Sequence, residues 1–153
     1  MCSYFGAGSP FDQATKGWVR TYPEGQLIFE AGALRLVRSH NAGADFDLFQ
    51  GHSSTPAAAA LIGIVALVVI AFSFRRFPFP ENRAGKLALG LILGGTAGNL
   101  IDRLRLGYVI DFIAIGSWPG FNIGDSTIVA GTVVLAYAVF SWLRAKRPCC
   151  IRR

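Results

Sequence analysis

The chain has 153 residues, the size of one domain, with 52% hydrophobic residues, 16% charged residues and a formal net charge of +6. Soluble domains carry about 25% charged residues, and the mean hydropathy here is +0.43, which excludes a disordered chain and an ordinary soluble one. An apolar yet basic chain leaves three classes: a nucleic-acid binder, a membrane-surface protein, or a membrane-spanning protein with basic cytoplasmic loops.

In chain order, Gln26–Glu30 (QLIFE) and Ala33–Arg38 (ALRLVR) are short β-prone runs flanking Gly32. They predict a small hairpin-like sheet. Ala57 to Phe74 is the first uncharged apolar run, long enough for a transmembrane helix of roughly 17–25 residues. Arg75, Arg76, Arg83 and Lys86 follow it, opposed only by Glu81. Leu87 to Ile101 is the second run; with its flanks, where long basic side chains snorkel, it predicts a span over about 85–103. Gly90, Gly94 and Gly98 line one face of it, a small-residue stripe that lets a neighbouring helix come close and marks this span as central. Ser126 to Leu143 is the third run, giving a span over about 126–143. A basic tail follows: Arg144, Lys146, Arg147, Arg152 and Arg153.

The charges set the topology. The segment between spans one and two and the tail after span three lie on the same side of the membrane, because two spans separate them. They hold nine of the fifteen Lys and Arg residues, so that side is cytoplasmic by the positive-inside rule. Eight of the nine acids lie in 1–56 and 102–125, which fall on the outer face. The basic excess therefore reports topology, and a nucleic-acid partner is not expected. Trp18, Tyr22, Tyr108, Trp118 and Phe121 fall near span ends on the outer side, as an aromatic belt would. Cys2, Cys149 and Cys150 match neither a disulfide framework nor a zinc spacing, and His40 and His52 sit in no ligand motif, so no metal or other cofactor is expected.

The polar residues at membrane depth carry the functional signal. Asn99 and Arg103, four apart, share a helix face at the end of the middle span, with Asp102 beside them. Asp111 follows an apolar run, and Asn122 and Asp125 precede the third span. Taken singly, Asp125 reads equally as an N-cap for Ser126 onward, and Asp102 with Arg103 as a surface pair. Asp111 and Asp125, however, bound a 13-residue loop that leaves and returns to one face, so they can converge. Two close carboxylates do not both ionise easily: one takes a proton from water while the other, protonated, polarises a carbonyl. That chemistry is aspartic proteolysis and uses no metal.

Gly94–Phe112 (GGTAGNLIDRLRLGYVIDF) followed by Phe121–Ile128 (FNIGDSTI) resembles the lipoprotein signal peptidase family, signal peptidase II. Asp12–Lys16 (DQATK) and Asn41–Phe46 (NAGADF) resemble two further family blocks, and the four occur in order over residues 11 to about 143. The resemblance implies a bacterial inner-membrane, multi-pass aspartic endopeptidase with its active site at the outer, periplasmic face. Its substrate would be a lipid-modified prolipoprotein, cut just before the diacylglyceryl-modified cysteine, and its other partners membrane lipids. It implies a catalytic dyad at Asp111 and Asp125, with Asn99, Arg103 and Asn122 holding substrate or dyad and Asp12, Lys16 and Asn41 in support. Gly124 stands where the family has Ala, and Asp45 adds an acid where it has a second Ala. The family has four transmembrane helices. Eleven residues precede Asp12, too few to cross about 30 Å at about 1.5 Å per residue, so most of the first helix is expected to be missing.

The expected architecture is a single membrane domain over 1–153, an all-α bundle of three full spans (57–74, 85–103, 126–143) plus a truncated first helix. The outer segments are 17–56, which carries the small β-rich part, and 104–125. Two other readings stand beside the lipoprotein peptidase. One is an intramembrane aspartyl protease of the presenilin or prepilin-peptidase kind, whose GxGD motif lacks its first Gly in Asn122-Ile123-Gly124-Asp125. The other is an inactive or truncated membrane homologue.

Overall fold

The computed structural model describes residues 8–42 and 83–145. The span expected over 57–74, Asp45, His52 and the three cysteines lie outside these residues.

Helix α1 runs Gly8–Val19. Its buried face is Asp12, Lys16 and Val19, at i, i+4 and i+7, all 1% exposed or less, while Phe11 and Trp18 are exposed. This polarity is the inverse of a soluble amphipathic helix: charge faces the protein and aromatic surface faces outward, as suits a lipid boundary.

Strands β1 (Leu27–Ala31) and β2 (Leu34–Asn41) form the expected hairpin, one residue later than the sequence runs suggest at both starts. Gly32 occupies the first of the two loop positions with φ of 61°. That left-handed conformation suits the primed turns that match strand twist, and it costs glycine nothing. A third strand, β3 (Val109–Ile115), pairs antiparallel with β2, giving the order β1-β2-β3. The sequence pattern marks no strand here. Val109 to Phe112 are buried without a break, so the alternation that marks a half-exposed strand is missing. In register, Ser39 faces Asp111 and Asn41 faces Val109, with an irregularity between Leu36 and Ser39.

Helix α2 spans Arg83–Leu106 and helix α3 spans Ile123–Ala145, both longer than expected by two or three residues at each end. Both are long and apolar enough to cross a membrane, with mean hydropathies of 1.3 and 1.8. Gly107, with φ of 82°, stops α2: its N–H donates to the Arg103 carbonyl and the chain turns directly into β3. α2 is the more buried of the two, in keeping with its expected central place. On α3, Val129, Val133, Tyr137 and Phe140 form an exposed apolar stripe at helical spacing. A stripe of that size is stable facing lipid and costly facing water.

The glycine stripe works differently from expectation. The close approach of α2 to α3 is made at Gly95, where an added Cβ would run into the Gly124 carbonyl oxygen and lie 2.5 Å from Thr127 Oγ1. Gly131 makes the matching clearance on α3, 2.7 Å from the Ala88 carbonyl. Gly98, a member of the stripe, makes room for Asp12 of α1, whose Oδ2 would lie 2.5 Å from a Cβ there. A small core of Val19, Ile110 and Phe112, joined by Leu36, Leu106 and Ile123, ties the end of α1, the sheet and the start of α3 together.

Candidate active site

The end of α2, the start of α3, the middle of α1, the start of β3 and the end of β2 meet at one place, and the polar residues singled out in the sequence gather there. The start of α3 shows why. Asn122 caps the helix: its Oδ1 accepts from the Asp125 N–H (2.9 Å), and the Asp125 carboxylate accepts in return from the Asn122 N–H (3.2 Å). This is a reciprocal capping box, with the cap at Asn122 and the acid three residues on. The cap expected at Asp125 thus moves back three residues, and Asp125 keeps an oxygen for other work.

Asn122 also reaches the other carboxylate. Its Nδ2 donates to Asp111 Oδ1 at 2.7 Å, so one amide links Asp111 and Asp125. The second Asp111 oxygen accepts from Asn41 Nδ2 at 2.8 Å. The second Asp125 oxygen accepts from Asn99 Nδ2 at 2.7 Å. All four carboxylate oxygens therefore face N–H donors.

Asn99 is held from behind. Lys16 Nζ donates to its Oδ1 at 2.7 Å, which forces the amide N–H groups toward Asp125. The Lys16 ammonium is itself clamped by Asp12 at 2.7 Å and Asp102 at 2.9 Å. Gln13 Nε2 donates to the other Asp102 oxygen (2.9 Å) and to the Gly98 carbonyl (3.1 Å). Asp12 Oδ1 accepts from the Gly124 N–H at 2.8 Å, satisfying one of the N–H groups that open a helix. One unbroken chain of polar contacts runs from Gln13 on α1 to Asn41 on β2.

Burial makes this chain consequential. Asp12, Lys16, Asp111 and Asn122 are at most 2% exposed, and Asp102 and Asn99 at most 7%. Asp111 lies on the sheet, outside both candidate spans. Burial pushes its carboxyl up to about 6; the nearby Asp125 charge adds to the rise, and the hydrogen bonds from Asn41 and Asn122 oppose it.

Seven of the eight residues expected in the site are joined in this network. The eighth, Arg103, lies next to it in α2, but its side chain makes no hydrogen bond or ion pair among the described residues, and its Nε is buried without a partner. Two members were missed. Asp102 was read as a possible surface pair with Arg103, yet it is 3% exposed and binds Lys16. Gln13 was read only as part of a motif. The signal for Asp102 was present: it lies three residues after Asn99, on the same helix face. Among the described residues no group of three or more His, Cys, Asp or Glu is placed to hold a metal ion.

Comparison with known proteins identifies the family. The family model for signal peptidase (SPase) II matches residues 6–141. A lipoprotein signal peptidase of Dehalococcoides mccartyi is 46% identical over 119 residues, covering 76% of this chain and 74% of that protein. One from Geobacter sulfurreducens is 39% identical over 143 residues, covering 90% and 89%. Two solved structures of bacterial membrane enzymes superpose with TM-scores of 0.75 and 0.73 at 26% and 28% identity. The first covers 94% of this chain and 89% of its own, the second 86% of each. The match spans every residue of the polar network, and the chain belongs to the signal peptidase II family.

Proposed function

We propose that the chain removes signal peptides from prolipoproteins, cutting before a diacylglyceryl-modified cysteine, as an aspartic endopeptidase of the bacterial inner membrane. Asp111 and Asp125 are its catalytic residues. The observation that carries this is the single Asn122 amide side chain, which bonds the Asp111 carboxylate and the Asp125 backbone at once while the Asp125 carboxylate closes the cap.

The chemistry follows from the charges. Burial favours the protonated form of Asp111 below about pH 6 in the unliganded protein. The protonated carboxyl donates to the scissile carbonyl, and its ionised partner takes a proton from a water molecule as that water attacks. The resulting gem-diol collapses when the leaving amine receives a proton from the pair. No covalent intermediate forms. Asn99 and Asn122 hold the acids in place, and Arg103, whose guanidinium is uncommitted among the described residues, is available for a substrate carbonyl. The apolar stripe on α3 fits a substrate delivered through lipid. Asp102 and Asp125 lie at the helix ends opposite those that carry Arg83, Lys86 and Arg144, which supports a multi-pass topology with a periplasmic site.

Cleavage of a lipid-modified prolipoprotein by the Asp111→Asn and Asp125→Asn variants tests the reading. Each variant loses at least about a hundredfold in kcat, since acid–base assistance alone contributes about 10²–10⁴-fold. Full activity in either variant removes the dyad. An inactive wild-type chain, correctly inserted, favours the inactive-homologue reading.

A further inference from the structure

A groove of about 220 Å³ opens on the sheet beside Asp111, lined by Arg35, Val37 and Ser39 of β2, by residues 111–114 of β3 and by Gly120. Its two ends differ. At the near end lies Asp111, with Gly120 beside it: a Cβ there would lie 3.5 Å from Asp111 Cβ. At the far end lies Arg35, the register partner of Ala114. Its Nη2 donates to the Gly116 carbonyl at 3.2 Å, which holds the guanidinium at the end of β3. Glu30 is opposite Arg35 across the β1–β2 pairing, but no ion pair joins them among the described residues. The guanidinium therefore keeps most of its five N–H donors for another acceptor. Arg38, the next cation on β2, is spent on the Arg20 and Tyr22 carbonyls.

The inference rests on the peptidase reading above. With the scissile bond at Asp111 and Asp125, the apolar signal peptide and the acyl chains belong on the lipid side, along the helices. The polar chain that follows the cut must leave on the side where the sheet is. We propose that the groove receives this segment and that Arg35 selects an acidic side chain in it. The spacing fixes where. Ala114 is three residues beyond Asp111 and Gly116 five, about 10 to 17 Å at roughly 3.3 Å per residue. An extended substrate covers that distance with its third to fifth residues after the cut. An exposed ion pair there, in the upper part of the usual range at about 0.4–1 kcal/mol, gives a preference of about two- to fivefold.

The test uses the full chain in proteoliposomes and lipid-modified prolipopeptides that carry Asp, Ser or Lys at the third to fifth positions after the cut. Two substrates compete in one tube, so the ratio of their kcat/KM values does not depend on the folded fraction. The wild-type protein prefers Asp over Ser by about two- to fivefold and Ser over Lys by a similar factor, mainly through KM, with the preference shrinking at high salt. Arg35→Glu inverts the order and Arg35→Gln flattens it. A wild-type protein indifferent to the charge, or an order unchanged in Arg35→Glu, overturns the assignment. The Ser substrate separates the two failures. If the wild-type protein does not cut it, the peptidase reading falls; if it does and the order ignores Arg35, only the groove assignment falls.

Discussion

Lys16→Met tests how the site is held together. The substitution keeps most of the side-chain volume and removes the ammonium that touches Asp12, Asp102 and Asn99 at 2.7, 2.9 and 2.7 Å. Two carboxylates, 0% and 3% exposed, are then left without a cation. Breaking a buried ion pair by removing one partner costs about 3–5 kcal/mol, so the thermal midpoint in detergent falls by several degrees. A second effect is separate. Asn99 loses the donor that fixes its amide, and it can turn its oxygen toward Asp125. A hydrogen bond to a charged group contributes about 1.5–3 kcal/mol, so kcat falls by about tenfold or more. The double variant Lys16→Met with Asp12→Asn tells the two apart. Removing one negative charge restores part of the stability, but Asn99 is still unheld and kcat stays low. The assays are thermal unfolding and prolipoprotein cleavage on the same preparations. A Lys16→Met protein with unchanged midpoint and unchanged kcat refutes the reasoning, and a double variant that recovers both refutes the separate role of Asn99.

Three further outcomes follow from the same contacts. Gly95→Ala forces α2 and α3 apart against the Gly124 backbone, which cannot retreat as a flexible side chain would; overpacking of this kind costs about 1–3 kcal/mol, and a midpoint and activity equal to wild type would show that the helices do not meet there. Asn41→Leu removes a donor to the ionised form of Asp111, so the alkaline limb of kcat/KM moves to higher pH; a limb that stays or moves down contradicts the assignment. The folded Asp111 carboxyl binds its proton more tightly than the unfolded one, so its contribution to stability is full below about pH 4 and is lost as pH rises through about 6. Unfolding of Asp111→Asn against wild type across this window checks the sign: the difference shifts in the variant's favour with rising pH, and a flat difference rejects it.

The sequence disclosed the apolar runs of α2 and α3 because an uncharged stretch of that length has few other uses. It disclosed the hairpin because Gly32 separates two β-prone runs. β3 was hidden because its buried residues follow one another without polar alternation, and because its partner β2 lies some seventy residues away. Distance also hid the true meaning of the polar residues. Asp12 and Lys16 could be paired at i, i+4 from spacing alone, but that their ion pair takes in Asp102 and orders Asn99 depends on α1 crossing α2 at Gly98. The glycine pattern was visible as a stripe, while the residue that admits α3 is Gly95, off the stripe by one. Periodicity shows which face is small; only packing shows which glycine has a neighbour.

The network also bears on why charge is kept in so apolar a place. A buried ion cluster is weak as a source of stability, since well-packed apolar residues often serve as well or better. What apolar residues cannot do is give an amide a direction. Asn99 accepts from Lys16 at one end and donates to Asp125 at the other. Asn122 accepts from the Asp125 N–H and donates to Asp111. Turning either amide over would set oxygen against oxygen at a carboxylate. Each of the two acids is therefore met by N–H groups whose orientation is dictated from the far side, by a cation in one case and by a helix end in the other. A preorganised set of this kind costs no reorientation when charge moves during the reaction. That accounts for a buried lysine, clamped between two acids, at a site whose chemistry does not itself require a lysine.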